Sequence, residues 1–306
     1  MHIAITGASG LLGGALSEAL RADGHEITGI TRSRPGPDEL QWSPMERRID
    51  ADGLRGVDVV VHLAGEKIGF SSWDPRAIAE ARWTADTRRR ILDSRVQGTT
   101  LLAETLAELD EGPRVLVSVS AVGYYGDRGD EVLTEDSPPG HLFLSEVCRA
   151  WERSAEPARE AGLRVVHPRI GIVQTPVDGA LQRSLPLFKV GLGGPFGSGR
   201  QWWSWVMLED VIGVLHHAVT NDDVVGPINV TAPEPVTNLE WTRTLGRVLG
   251  RPAIIPIPRF GPRLILGEMV DELVYASARV LPQRTLDSGY TFRYTDLETG
   301  LRSVLS

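Results

Sequence analysis

The stretch HIAITGASGLLGGALSEALRADG, residues 2–24, decides how the chain is read. An apolar strand pattern runs into a glycine-rich turn and then into an amphipathic helix that stops at Gly24. Gly7, Gly10 and Gly13 stand between strand and helix. The first permits the tight turn. The second lets the backbone approach a pyrophosphate at the helix N-terminus, where free N–H groups and the dipole favour anions. The third lets helix and sheet pack closely. The expected cofactor contacts of this turn are Gly7, Ser9, Gly10, Leu11, Leu12 and Gly13. The next strand pattern, EITGIT, ends in Thr31, Arg32, Ser33 and Arg34. A site for NAD places an acid here, against the ribose 2′-hydroxyl. Guanidinium and hydroxyl groups suit a 2′-phosphate instead. NADP is therefore the expected cofactor, with Thr31, Arg32 and Ser33 beside its 2′-phosphate.

Strand-like and helix-like runs alternate through the first 175 residues. DVVVHLAG, residues 58–65, is an almost unbroken apolar run, as in a strand buried on both faces. A helical period covers 84–108, RVLVSVS follows at 114–120, a further helix is expected over 141–161, and RVVHPRIGIV closes the series. This alternation predicts an α/β fold, a Rossmann-type doubly wound parallel sheet. Leu63, Ala64 and Gly65, at the end of the third apolar run, are further expected cofactor contacts. Beyond residue 175 the pattern loosens into a loop (GLGGPFGSG), a short strand (WWSWVML) and helices at EDVIGVLHHAVT and TNLEWTRTLGRVLG. The second of these helices starts at Thr237 or Asn238 and stops at Gly250. A Pro-rich segment, 251–262, leads to a helical C-terminal piece. The expected division is a cofactor domain over 1–175, to which later segments return, and a smaller substrate-side lobe over 176–306.

Composition narrows the function classes. The 306 residues carry a net charge of −8 and are 42% hydrophobic. The acidic balance argues against a nucleic-acid partner. No run approaches the roughly 18–20 apolar residues that span a bilayer, and the first ten residues do not read as a signal peptide. A single cysteine, Cys148, excludes an internal disulfide and a multi-cysteine metal site. The expectation is a cytoplasmic protein with a small-molecule substrate, with no nucleic-acid or membrane partner, and with a homodimer left open. Lysine occurs only as Lys67 and Lys189, so any mechanism that needs a lysine amine must use one of these.

TGASGLLG, VVVHLAGE, RVLVSVSAVGYYG and RVVHPRIGIV follow one another with the order and spacing of extended and atypical short-chain dehydrogenase/reductases. DSRVQGTTLL, SAVGYYGDRGDEVLTEDSPPG, FLSEVCRAWE, GLGGPFGSGRQWWSW and GPINVTAPEPVTN narrow this further. They resemble the subfamily called "epimerase family", similar to nucleoside-diphosphate-sugar epimerases. The segment LGEMVDELVYASARVLPQRTLDSGYTFRY resembles that subfamily's C-terminal domain of unknown function. Residues 69–82 look like a local insertion relative to the subfamily's pattern. The resemblance implies a Rossmann-type fold and NADP binding, and leaves the substrate open.

In active relatives, the resemblance implies, a Tyr-x-x-x-Lys pair on one helix face transfers the proton, and an upstream Ser or Thr polarises the reacting group. Ser120 is that serine. The tyrosine and lysine positions fall near Phe143 and Val147, or near Leu144 and Cys148 with a shift of one. Nowhere in the chain does a lysine stand four residues after a tyrosine. The asparagine of the preceding helix is also replaced, by Arg95. Three readings remain open. Tyr124 or Tyr125 acts as the acid/base, Cys148 or Glu146 acts from the 141–152 helix, or the protein binds NADP without turnover. On the substrate side, Trp203 stands where epimerases offer an arginine to the substrate diphosphate, with Arg200 as a substitute. Trp202, Trp203 and Trp205 favour a planar or hydrophobic ligand, with Trp203 and Trp205 on one strand face. Arg169 reaches the crevice and is assigned to the cofactor or substrate side. His62 and His167 read as core histidines, and Lys189 as a loop anchor.

Overall fold

The computed structural model describes residues 1–69 and 74–305. Its main sheet uses β1 (His2–Thr6), β2 (Glu26–Thr31), β3 (Glu39–Ser43), β4 (Arg48–Ile49), β5 (Val59–His62), β6 (Val115–Ser118), β7 (Ser120–Ala121), β9 (Arg164–Ile170) and β13 (Gly226–Val230). The order across the sheet is β13-β9-β6-β5-β1-β2-β3-β4, with β7 extending the sheet beside β9. All pairings are parallel except β3 with β4. The chain winds outward from β1 to β3 and then returns to β5 on the other side of β1. That reversal opens a crevice at the carboxyl ends of β1 and β5, the ligand position of open α/β sheets.

The sheet is sealed on both faces. Helices α1 (Leu11–Ala22) and α7 (Leu208–Thr220) cover one face, where Leu16, Leu20, Val211 and Leu215 pack on Ile3 and Ile5. On the other face α3 (Ala85–Glu108) and α5 (Glu156–Glu160) bring Leu102, Leu106 and Ala158 onto Ala4 and Val60. Each such aliphatic side chain contributes about 1.5–3 kcal/mol when fully buried. The expected helix over 141–161 is two helices, α4 (Phe143–Arg153) and α5. Pro157 is the reason, because its ring excludes the carbonyl of a preceding turn and suits the first turn of a new helix. Within the expected insertion at 69–82, residues 70–73 lie outside the described residues. Pro75–Ala81 forms α2, capped by the Asp74 carboxylate.

A third core belongs to the later segments. Helices α6 (Gly179–Lys189), α8 (Asn238–Leu249) and α11 (Leu297–Leu305) enclose Phe188, Trp203, Trp205, Trp241 and Leu301. Thr237 and Glu240 form a reciprocal capping box at the start of α8, and Gly250 ends it in the left-handed region. The WWSWVML run is two strands rather than one. β11 (Trp202–Trp203) pairs with β14 (Val236–Thr237), and β12 (Trp205–Met207) pairs with β10 (Ile172–Gln174). The Trp203 and Trp205 indoles still reach the same core, and donate to the carbonyls of Val274 and Glu234 respectively. The C-terminal piece adds α9 (Phe260–Leu266), a wide turn at Asp271–Tyr275, β15 (Arg279–Val280), which pairs with β8 (Val132–Leu133), and α10 (Gln283–Asp287). Among the described residues, no helix is long and apolar enough to cross a membrane.

Candidate functional site

The glycine turn is built as tightly as its sequence demands. Gly7 has φ +70°, and a Cβ there would stand 3.2 Å from the backbone of Ala64. A Cβ on Gly13 would lie 2.2 Å from the Gly7 carbonyl oxygen. Gly10 is the N-cap of α1 and has no side chain to satisfy the first-turn N–H groups. Thr6 fixes the facing strand end, because its hydroxyl accepts from Leu63 N and Ala64 N at 3.1 and 3.2 Å. His62 shares that hydroxyl at 2.7 Å. Burial, helped by the Arg95 charge, holds the His62 imidazole down at about 3, so the ring is neutral. Ser9 is exposed at the turn, and Arg32, Ser33 and Arg34 are exposed beyond β2. Ser33 N–H donates to Thr31 Oγ1 at 3.2 Å. Glu39, on the neighbouring strand, accepts from Gly36 N–H at 2.8 Å.

Three hollows meet at Ile68 and Ile172. One, of about 300 Å³, lies against Leu11 and Leu12 and includes Lys67, Thr175 and Arg183. Lys67 and Arg183 both pair with Asp178, at 3.2 and 3.1 Å. The second, of about 230 Å³, lies between the loop after β7 and the first half of α4. Its walls include Ala121, Gly123, Leu144, Val147, Trp203 and Leu273, and its polar groups include Arg95, Cys148, Ser204 and Glu272. The third, of about 450 Å³, extends from Trp203 under α6 and α9.

Ser120 stands at the carboxyl end of the sheet beside the Cys148 thiol. Its hydroxyl is buried, faces that thiol, and stands behind the cavity wall formed by Ala121 and Cys148 rather than in the lining itself. Burial pushes the Cys148 thiol up to about 11, so it is a protonated thiol at neutral pH rather than a nucleophile. Glu146 is exposed on the opposite side of α4. Phe143 packs edge-on against Trp83, and Val147 forms part of the cavity wall. The helix that would carry a tyrosine and a lysine presents apolar groups instead.

Several expected residues lie elsewhere. Tyr125 is 0% exposed; its hydroxyl donates to Asn229 at 2.7 Å and accepts from Arg169 at 2.9 Å. Burial pushes that hydroxyl up to about 12. Tyr125 is thus a buried strut, not an acid/base facing a ligand. Arg169 is enclosed likewise. It is 3% exposed and makes a bidentate pair with Glu152 at 2.8 and 2.9 Å. Its guanidinium also lies 3.5 Å from the centre of the Tyr124 ring, so Tyr124 is held in the same cluster, outside the lining of these cavities. Arg200 is exposed and absent from those linings too, whereas Trp203 forms the wall between the second and third hollows.

Two groups were not read as site residues from sequence. Arg95 is 8% exposed and lines the 230 Å³ cavity. It donates to the carbonyls of Ile91 and Glu66, both at 3.1 Å, and lies over the Trp151 ring. Glu272 enters the same cavity from the C-terminal piece. Its carboxylate accepts from Phe143 N and Leu144 N at 3.1 and 2.8 Å, and burial raises its pKa. Only the replacement of an asparagine by an arginine signalled the first. The second comes from a segment more than a hundred residues away in sequence and had no local signal.

The sequence that builds this sheet and glycine turn matches a known family over most of the chain. The profile described as "NAD dependent epimerase/dehydratase family" matches residues 3–231. The chain belongs to this family. A second profile, a domain of unknown function called DUF1731, matches residues 257–304. Epimerase family protein Mb2239 of Mycobacterium bovis is 39% identical over 98% of this chain and 96% of its own length. Human epimerase family protein SDR39U1 is 34% identical, with both chains covered in full. The crystal structure of the human protein (isoform 2) with NADPH superposes with a TM-score of 0.89, over 99% of each chain. The nucleoside-diphosphate sugar epimerase of Corynebacterium glutamicum superposes at 0.77 with 37% identity, over all of this chain and 58% of that one.

Proposed function

We propose that this chain is an NADP(H)-dependent oxidoreductase that interconverts a carbonyl and a carbinol on an apolar substrate. The observation that carries the reading is the 230 Å³ cavity walled by apolar side chains and holding one buried cation, Arg95, and one acid, Glu272; Ser120 lies directly behind its wall, next to Ala121 and Cys148. The cofactor fits what surrounds the crevice. A side chain at Gly13 would fill the turn, the first-turn N–H groups of α1 have no side-chain cap, and residues 31–34 offer hydroxyls and guanidiniums without an acid. The human relative crystallised with NADPH supports NADP over NAD. Gly7, Gly10, Leu11, Leu12 and Gly13 would hold the pyrophosphate, Thr31, Arg32 and Ser33 the 2′-phosphate, and Leu63–Gly65 the inner edge.

When bound, NADPH supplies the hydride. The chain's own residues do the rest. Ser120, behind the wall at Ala121 and beside the Cys148 thiol, would take the substrate oxygen by turning its hydroxyl from that thiol into the cavity. Arg95 places a fixed positive charge in the cavity wall near that oxygen, where charge develops and water is excluded. Glu272, whose protonated form is favoured by burial, is the proton source on the C-terminal side. The apolar wall at Val147 and Trp203 fits an aliphatic or aromatic body better than a sugar diphosphate, which sets the epimerase reading below the reductase one. The absence of any Tyr-x-x-x-Lys favours a second reading, an NADP(H)-binding sensor without turnover. NADPH oxidation by a panel of quinones, aldehydes and ketones separates them. Oxidation by at least one, lost in Ser120→Ala, supports the enzyme; tight binding with no oxidation by any supports the sensor.

A further inference from the structure

The 450 Å³ hollow is larger than the reaction cavity and more apolar, and the reaction needs none of it. It falls in the range of about 300–1,000 Å³ that holds drug-sized ligands. Phe188, Trp203, Leu266, Met269 and Val274 are among its walls. Trp203, Leu273, Ile68 and Ile172 line both cavities, so the two adjoin across these four side chains.

The hollow opens on an unusual face. Leu187 and Ile265 line it and are also exposed to solvent. Around them Ile254, Phe260 and Leu264 are 78%, 75% and 77% exposed, and Val190 is exposed too. The segments carrying these side chains are contiguous in space. Ile257 N–H donates to Pro195 O at 2.8 Å, Gly197 N–H donates to Ile257 O at 2.9 Å, and Gly194 abuts the carbonyl of Ile255. A folded chain rarely leaves so many large apolar side chains together in water without a use for them.

Charge says what covers the face. The chain as a whole carries −8, yet residues 179–208 and 241–267 contain no Asp or Glu. They contribute Lys189 at the rim, Arg259 and Arg263 on either side of Phe260, and Arg243, Arg247 and Arg251 around a hollow that includes Ile254. Arg243 and Arg247 also border the acids Glu234, Glu240, Asp296 and Glu298, so the positive balance rests on Lys189, Arg251, Arg259 and Arg263, the last two sharing the single carboxylate of Asp271. An isologous dimer through this face would set like charges against each other. An anionic lipid surface complements both its apolar and its basic parts.

We propose that this face docks on an anionic membrane and that the 450 Å³ hollow receives the hydrocarbon chain of an amphiphilic substrate, whose oxidisable or reducible end passes Trp203 into the adjoining 230 Å³ cavity. The substrate class deepens the oxidoreductase reading and rests on it; the membrane contact does not. This departs from the expectation that no membrane is a partner. Residues 187–192 and 252–266 make one surface only after folding, so a window sliding along the sequence sees no long apolar run.

The test uses the whole protein loaded with NADPH. It is floated with vesicles of equal parts phosphatidylglycerol and phosphatidylcholine, or of phosphatidylcholine alone. Flotation is expected with the first, weaker with the second, and reduced by high salt. Phe260→Asp and Leu264→Asp should each abolish it while thermal melting and NADPH binding stay unchanged. No flotation, or flotation indifferent to both substitutions, overturns the docking. So does a dimer in solution that the same substitutions dissociate. Chain binding is read without vesicles, by the fluorescence of cis-parinaric acid. Ser184→Trp, and the smaller intrusion Ala180→Leu, should weaken it roughly tenfold or more. Unchanged affinity in both overturns the chain subsite. Neither readout involves turnover, so NADPH oxidation by short-chain carbonyls tests the reaction separately.

Discussion

Helix α4 separates two buried arginines with opposite surroundings. On one side, Arg169 has the Glu152 carboxylate, the Tyr125 hydroxyl, the Glu135 carbonyl and the Tyr124 ring. On the other, Arg95 has two backbone carbonyls and the Trp151 ring, with no carboxylate in hydrogen-bond or ion-pair contact among the described residues. A guanidinium has five N–H donors and no acceptor. The first arginine is satisfied by the protein and holds the sheet, loop and helix together. The second keeps donors for something else, and the cavity it lines is where a ligand oxygen would take them. A buried charge with incomplete partners costs stability, so the contrast distinguishes scaffold from site.

The contrast breaks most visibly at the satisfied pair. Glu152→Ala leaves Arg169 buried without its counter-charge and should cost about 3–5 kcal/mol of folding stability. Chemical denaturation measures this, and a loss below about 1 kcal/mol would mean that the network is incidental. Arg95→Met should do the reverse. Its fold should survive with little or no loss of stability, while turnover of NADPH with a competent carbonyl falls roughly hundredfold, the scale of losing one positioned donor at a developing charge. If Arg95→Met unfolds the protein and Glu152→Ala spares it, the two roles are exchanged.

Cys148 lies on the Arg95 side and gives a pH test. Its folded pKa, about 11, exceeds the unfolded value of about 8.5. Its contribution to stability is therefore complete below the unfolded pKa and is lost as pH rises through about 9 towards about 11, at up to about 1.4 kcal/mol per pH unit. Cys148→Ala should flatten that part of the stability profile relative to wild type; identical slopes would contradict the burial of the thiol. A third arginine completes the series. Arg32 is exposed and is read as a contact to a 2′-phosphate. Arg32→Ala should weaken NADPH binding by about 1.5 kcal/mol, roughly tenfold, and leave NADH unchanged. Equal losses for both would remove the assignment to NADP.

The parts legible in the sequence were those whose physics is local. Gly7 and Gly13 announced the turn because nothing else fits where a Cβ would collide with backbone. The triple valine of β5 announced a doubly buried strand, and Thr237 and Gly250 bounded their helix. The substrate side was legible only as a deficit, through the missing tyrosine and lysine on α4. What fills that deficit is assembled at long range. Glu272 caps α4 from the C-terminal piece, and the role of Tyr125 is set by Asn229, more than a hundred residues away. Tyr125 reads as a site residue because it lies in the loop after Ser120, and Arg169 because it sits on a strand that reaches the crevice. Spacing cannot reveal that the two side chains satisfy each other.

The central claim, hydride transfer in an apolar cavity that contains Arg95, is tested most directly with NADPH carrying deuterium at C4. The protein is incubated with this cofactor and a set of long-chain aldehydes, ketones and quinones, and the products are analysed by mass spectrometry. The account predicts deuterium on the carbinol carbon of at least one reduced aldehyde or ketone, with the yield falling in Arg95→Met. Tight NADPH binding with no label transferred to any member of the set, and no difference between wild type and Arg95→Met, would contradict it.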